Sequence, residues 1–163
     1  MRGWLLIWLF GLGLLPVGAQ SLDALDAENG FMGMTFGQPL EGKRMVLIGK
    51  FLKKPMLYSP DDKLELSGIP LEYIRYYTWK NKLHSVQIRV LGETNANKLL
   101  ELMEVFYGPG VQDGMAAHYT WPGKQVTLIY EKNLLTKNAT VTVESRPMQI
   151  EFERDMGARI REY

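Results

Sequence analysis

The chain of 163 residues contains no cysteine. That absence excludes thiolate metal ligands, thiol nucleophiles, disulfides and the lipid-accepting thiol of a lipoprotein leader. Histidine is scarce as well: His84 and His118 are the only two, far from the close spacing that marks a zinc site. No metal and no cofactor are expected. There is no Gly-x-Ser-x-Gly elbow, and Gly108-Pro109-Gly110 lacks the length and the Lys-Ser/Thr ending of a phosphate loop, so it reads as a helix stop. The only adjacent aspartates, Asp61-Asp62, follow Ser59-Pro60, a turn signal rather than an acid-base pair. No catalytic residue is expected. Charge of one sign is lacking too, with 19 Lys and Arg against 18 Asp and Glu. A neutral domain does not suit a phosphate backbone, so no nucleic-acid partner is expected.

The chain has one long uncharged apolar run, Gly3 to Leu15, and it stands directly behind Met1-Arg2. Pro16 breaks it, and Val17-Gly18-Ala19 places small residues where a signal peptidase cuts. The run is shorter than the about 20 residues a spanning helix needs, so residues 1–19 read as a cleavable signal peptide and no stable membrane anchor is expected after cleavage. Exported eukaryotic domains of this size usually carry disulfides, so a cysteine-free chain points to the bacterial envelope, periplasmic or secreted. The sequon Asn138-Ala139-Thr140 then reads as a plain surface turn.

Beyond the signal, residues 20–30 read as a flexible acidic leader and residues 31–163 as a single α+β domain, long enough to bury a core without staples. Phe31 to Gly37 reads as a short strand and turn. Lys43 to Lys54 holds Lys43, Arg44, Lys50, Lys53 and Lys54 among apolar residues. It suits either a basic amphipathic element on anionic lipid or, with Gly49 interrupting a helix at its centre and Asp61-Asp62 near enough to neutralise the charge, an ordinary solvated face over a buried strand or helix; the second is expected.

Tyr73 to Trp79 and Leu83 to Leu91 form a hairpin around Lys80-Asn81-Lys82, read as a three-residue loop with Trp79 opposite Leu83. That register puts Ile74, Tyr76, Thr78, His84, Val86, Ile88 and Val90 on one face. Tyr73, Arg75, Tyr77, Trp79, Ser85, Gln87 and Arg89 take the other. A helix capped by Thr94 or Asn95 follows, with Leu99, Leu102, Met103 and Phe106 in one stripe ending at Gly108-Pro109. A second hairpin echoes the first around Pro122-Gly123-Lys124, setting Ala116, His118 and Thr120 on the side of Val126, Leu128 and Tyr130. Ala139 to Glu144 is one more strand, and Pro147 to Tyr163 a half-exposed charged helix. The expected fold is a two-layer antiparallel sheet built from two hairpins with helices on one face.

Phe31-x-Gly33-x-x-Phe36-Gly37, Tyr58-Ser59-Pro60-Asp61-Asp62-Lys63-Leu64, Tyr107-Gly108-Pro109 and Tyr119-x-Trp121-x-Gly123-Lys124, together with the export signal, resemble small exported bacterial domains without an assigned activity. The resemblance implies no catalytic residues.

The candidate binding residues are Tyr73, Arg75, Tyr77, Trp79, Gln87, Arg89, Tyr119 and Trp121, rigid rings interleaved with hydrogen-bonding groups on the sheet side away from the apolar set. The chemistry suits an envelope protein, peptide or glycan as partner. The expected function is that of a non-enzymatic binding or accessory domain of the envelope, against the alternative of a small envelope hydrolase or lipid-handling protein with a scattered site.

Overall fold

The computed structural model describes residues 22–114 and 117–161, with side chains described through residue 157. The signal peptide, its cleavage after Ala19 and the orientation of Ala116 lie outside the described residues. Helix α1 (Leu22–Glu28) leads into the two-residue strands β1 (Gly30–Phe31) and β2 (Met34–Thr35). A hairpin of β3 (Val46–Phe51) and β4 (Lys54–Tyr58) follows, then the small pair β5 (Glu65–Leu66) and β6 (Ile69–Pro70). The centre is β7 (Tyr73–Trp79), β8 (Lys82–Val90) and helix α2 (Glu93–Tyr107). Strands β9 (Val111–Gln112), β10 (His118–Pro122), β11 (Val126–Lys132) and β12 (Ala139–Ser145) precede helix α3 (Arg146–Arg161).

The fold is α+β and the main sheet is antiparallel, but it is larger than two hairpins: eight strands run in the order β3-β4-β7-β8-β12-β11-β10-β9. Strand β12 lies between the two expected hairpins and bonds to both β8 and β11. Its alternation explains the place: Ala139, Val141 and Val143 are buried in the core, while Thr140, Thr142 and Glu144 line the other face.

The core lies between one sheet face and α2. Ile74, Tyr76, Leu83, Val86, Ile88 and Val90 from the central hairpin meet Leu128, Tyr130, Val141 and Val143, and Ala96, Leu99 and Met103 of α2 close over them. The Tyr130 hydroxyl donates to the Ala96 carbonyl at 3.0 Å, and burial pushes that phenol up to about 12. The helices do not share a face, contrary to expectation. Ser145 ends β12 and Arg146 starts α3 with no loop between them, and Met148 and Phe152 of α3 pack on Trp79, on the side away from Leu83.

The register of the central hairpin holds from Tyr73↔Arg89 to Tyr77↔Ser85 and then slips. Lys80 and Asn81, at φ 50° and 61°, make a two-residue turn, so Trp79 faces Lys82 and Thr78 faces Leu83 instead of Trp79 facing Leu83. The lost residue reappears as a bulge in β8, where His84 is left unpaired between Tyr77↔Ser85 and Thr78↔Leu83. Two consecutive side chains, His84 and Ser85, then point to the same face, and the His84 Nδ1 lies 3.1 Å from the Ser85 hydroxyl. His84 therefore leaves the apolar face predicted for it and sits fully buried beneath α3.

The second hairpin departs further, in register: its last paired residues are Pro122 and Thr127, and inside them the Gly123 N–H donates to the Val126 carbonyl at 2.9 Å. Pro122 pairs with Thr127 and Trp121 with Leu128, an odd shift that exchanges the two faces. His118 and Thr120 pair with Glu131 and Ile129, away from Val126, Leu128 and Tyr130.

The expected flexible leader is structured from Leu22 onward. Leu25 is buried in the core, and the Asp26 carboxylate accepts backbone N–H bonds from Lys124, Gln125 and Val126 at 2.6, 2.8 and 2.9 Å. Burial works to raise that carboxyl, but the three N–H donors outweigh it and hold Asp26 below its ordinary range. Phe31 to Gly37 is likewise split by a tight turn at Met32-Gly33, φ 53° and 74°, which lets Phe31 and Phe36 both reach the core.

Candidate functional site

The sheet face opposite α2 is covered by α3 only at the Trp79 end. Cross-strand pairing sets its residues in rows: Tyr73, Arg89, Thr140, Glu131 and His118 in one, then Arg75, Gln87 and Thr142, then Tyr77, Ser85 and Glu144. Strand β4 adds Met56 beside Tyr77, and the β3 residue Phe51 lies edge-on to the Tyr77 ring with centroids 6.3 Å apart. Lys50, Phe51, Lys54, Met56, Arg75 and Tyr77 form one wall of a half-open groove of about 480 Å³, with Gln87, Thr142 and Glu144 along its floor.

Gln87 is the hub of this face. Its Oε1 accepts from the Tyr73 hydroxyl at 2.9 Å and the Tyr77 hydroxyl at 3.3 Å, and its Nε2 donates to Thr142 Oγ1 at 3.2 Å. The Arg75 guanidinium stacks 3.8 Å from the Tyr73 ring centroid, which fixes a cation beside an aromatic plane. Burial raises the Tyr77 hydroxyl above its ordinary value, with Tyr73 adding to the rise and Arg75 opposing it. The hydroxyl stays protonated at neutral pH and available as a donor.

Five of the eight residues singled out from the sequence, Tyr73, Arg75, Tyr77, Gln87 and Arg89, meet on this face. Arg89 stands at its margin, paired with Glu72 at 2.9 Å. Trp79 lies on the same face but under α3, 8% exposed, edge-on to Phe152 at 5.0 Å. Tyr119 and Trp121 are on the opposite face as a result of the exchanged register. Trp121 is 1% exposed and donates its indole N–H to the Gly108 carbonyl at 2.7 Å; Tyr119 packs on Tyr130 with ring centroids 6.0 Å apart.

The sequence reading missed a buried lysine in the groove wall and a half-buried glutamate on its floor whose charges act on each other. Lys54 is 7% exposed, with its Nζ 4.5 Å from the Phe152 ring centroid. Burial lowers the Lys54 ammonium and raises the Glu144 carboxyl, while the attraction between the two groups opposes both shifts. Behind them His84 Nε2 lies 3.0 Å from Gln149 Oε1. Burial, with the charge of Lys54 added, pulls the imidazole down to about 4, so it is neutral at physiological pH. The alternation of β12 marks Glu144 as facing away from the core, but nothing local says that β12 lies beside β8 or that Lys54, of the five basic residues in its segment, is the one that turns inward.

Asp61-Asp62 is a turn, with the Asp61 N–H on Ser59 Oγ at 3.3 Å, yet Asp62 also binds the Lys43 ammonium and the Tyr76 hydroxyl. Among the described residues no group of three or more His, Cys, Asp or Glu is arranged to hold a metal ion, and no helix is long and apolar enough to cross a membrane. No protein family, curated protein or solved structure matches this chain.

Proposed function

We propose that this is an exported, non-enzymatic accessory domain of the bacterial envelope that contacts a protein, peptide or glycan partner through its open sheet face. The observation that carries the reading is the network of the half-buried Tyr73, Gln87 and Thr142 and the buried Tyr77 beside the stacked Arg75, a set of ordered donors, acceptors and rings on a face that, among the described residues, α3 covers only at the Trp79 end. Rings held by cross-strand neighbours lose little freedom on binding, and a polar network already formed supplies orientation. The N-terminal apolar run and the resemblance of the short motifs to those of small exported bacterial domains support the compartment.

Pull-down from an envelope extract tests this reading. Wild type is expected to capture a partner that an Arg75→Ala/Gln87→Ala variant of equal stability loses by tenfold or more. Equal capture by both would remove the face from the account.

A second reading, a small envelope hydrolase or lipid-handling protein, is favoured by Lys54 and Glu144, whose proton affinities are both displaced at the groove floor. Turnover of an ester or glycoside that vanishes in Glu144→Gln would select it.

A further inference from the structure

The β3–β4 hairpin carries six of the thirteen large apolar side chains that are exposed among the described residues: Val46, Leu47, Ile48, Phe51, Leu52 and Tyr58. The strand expected under a solvated face is itself the exposed edge of the sheet. Leu47, Phe51 and Leu52 stand 59%, 57% and 62% open. No acidic residue occurs between Glu41 and Asp61, whereas five basic residues do. Lys43 is held by Asp62, Arg44 by Asp61 and Lys54 is turned inward. Lys50 and Lys53 have no ion-pair partner among the described residues.

The tip is built against the preferences of its own turn. Leu52 and Lys53 occupy the two left-handed positions, φ 48° and 67°, where Asn-Gly is favoured and where a leucine gains neither burial nor backbone comfort. Folding gives no reason for Leu52 here. A surface that accepts an apolar side chain flanked by ammonium groups does.

We propose that the tip of this hairpin docks reversibly on an anionic lipid surface, with Phe51 and Leu52 entering the headgroup boundary and Lys50 and Lys53 pairing with lipid phosphates. Charge selects this occupant over a second copy of the chain: with no acidic residue between Glu41 and Asp61, the same patch on a second copy offers Lys50 and Lys53 no opposite charge across a two-fold contact. The Ile48–Gly49 bulge also breaks the regular edge that strand addition needs. Lys50 and Phe51 also line the groove but Leu52 and Lys53 do not, so variants at those two positions test the proposal without altering the groove.

Co-sedimentation with vesicles of phosphatidylcholine, with and without phosphatidylglycerol, tests it, using proteins whose common N-terminus is fixed by intact mass. Wild type is expected to bind only the anionic vesicles, less so as salt rises, and Lys53→Glu to bind them roughly thirtyfold more weakly. Leu52→Asn/Lys53→Gly is expected to be at least as stable as wild type to denaturant, since it satisfies the turn, yet to lose vesicle binding by tenfold or more. Equal binding to neutral and anionic vesicles would overturn the proposal, as would undiminished binding by that variant. A dimer in sedimentation velocity that the variant dissolves would assign the surface to a second copy instead.

Discussion

Trp121 and Gly110 show how a residue chosen as a contact becomes a structural one. The indole is enclosed by the core, its N–H is satisfied by the Gly108 carbonyl, and a Cβ added at Gly110 would meet the ring at 2.8 Å. Nothing of that ring reaches a partner. Trp121→Ala is expected to cost about 3 to 5 kcal/mol in denaturant unfolding, through lost burial and an orphaned carbonyl, while any partner capture survives in the folded fraction. A loss below about 1 kcal/mol would return Trp121 to the surface. Tyr-x-Trp beside a turn looks the same in sequence at Trp79 and at Trp121. What separates Trp121 from an exposed ring is an odd shift of register, made at a turn whose backbone N–H groups at residues 124–126 are bound by the Asp26 carboxylate from almost one hundred positions away.

Among the elements, those fixed by local chemistry were legible and those fixed by distant partners were not. Helix α2 was expected from the stripe of Leu99 and Met103 and the Gly108-Pro109 stop, and it runs from Glu93 to Tyr107, though it starts at Gly92 without a side-chain cap. The alternation of β7 and β8 placed Tyr73, Arg75, Tyr77, Gln87 and Arg89 on one face, correctly up to the bulge. The bulge itself was hidden, since a three-residue turn without a bulge and a two-residue turn with one give the same pairing from Tyr73↔Arg89 to Tyr77↔Ser85. So was the place of α3, which holds His84 and Trp79 from the far face. That docking carries a pH signature. His84 has a folded value of about 4 against 6.5 for the free side chain, so between those values the unfolded chain binds the extra proton. The His84 contribution to stability is therefore full above about pH 6.5 and falls by about 3 kcal/mol as the pH approaches 4, while Glu144, raised from 4.5, opposes it by binding its proton sooner in the folded chain. Asp26, whose carboxyl is lowered from 3.8, loses its contribution only at more acid pH, outside this window. Denaturation midpoints between pH 4 and 7 are expected to fall with acid in wild type and to flatten in His84→Asn; an equal slope in both would place the titrating group elsewhere.

For the whole molecule, one core and two unlike faces define what the fold offers. One sheet face is spent on α2, and the other keeps a polar network and a groove whose outer wall is the exposed apolar hairpin. Helix α3 narrows the open face without closing it. Site-specific photo-crosslinking addresses this arrangement most directly. A crosslinking side chain placed at Thr142, on the groove floor, is compared with one at Val105, which is 66% exposed on α2. In an intact envelope the account predicts a discrete adduct from position 142 that disappears in an Arg75→Ala/Gln87→Ala background, with none from position 105. An adduct from position 105 and none from position 142 would contradict it, moving the contact surface to the helical side.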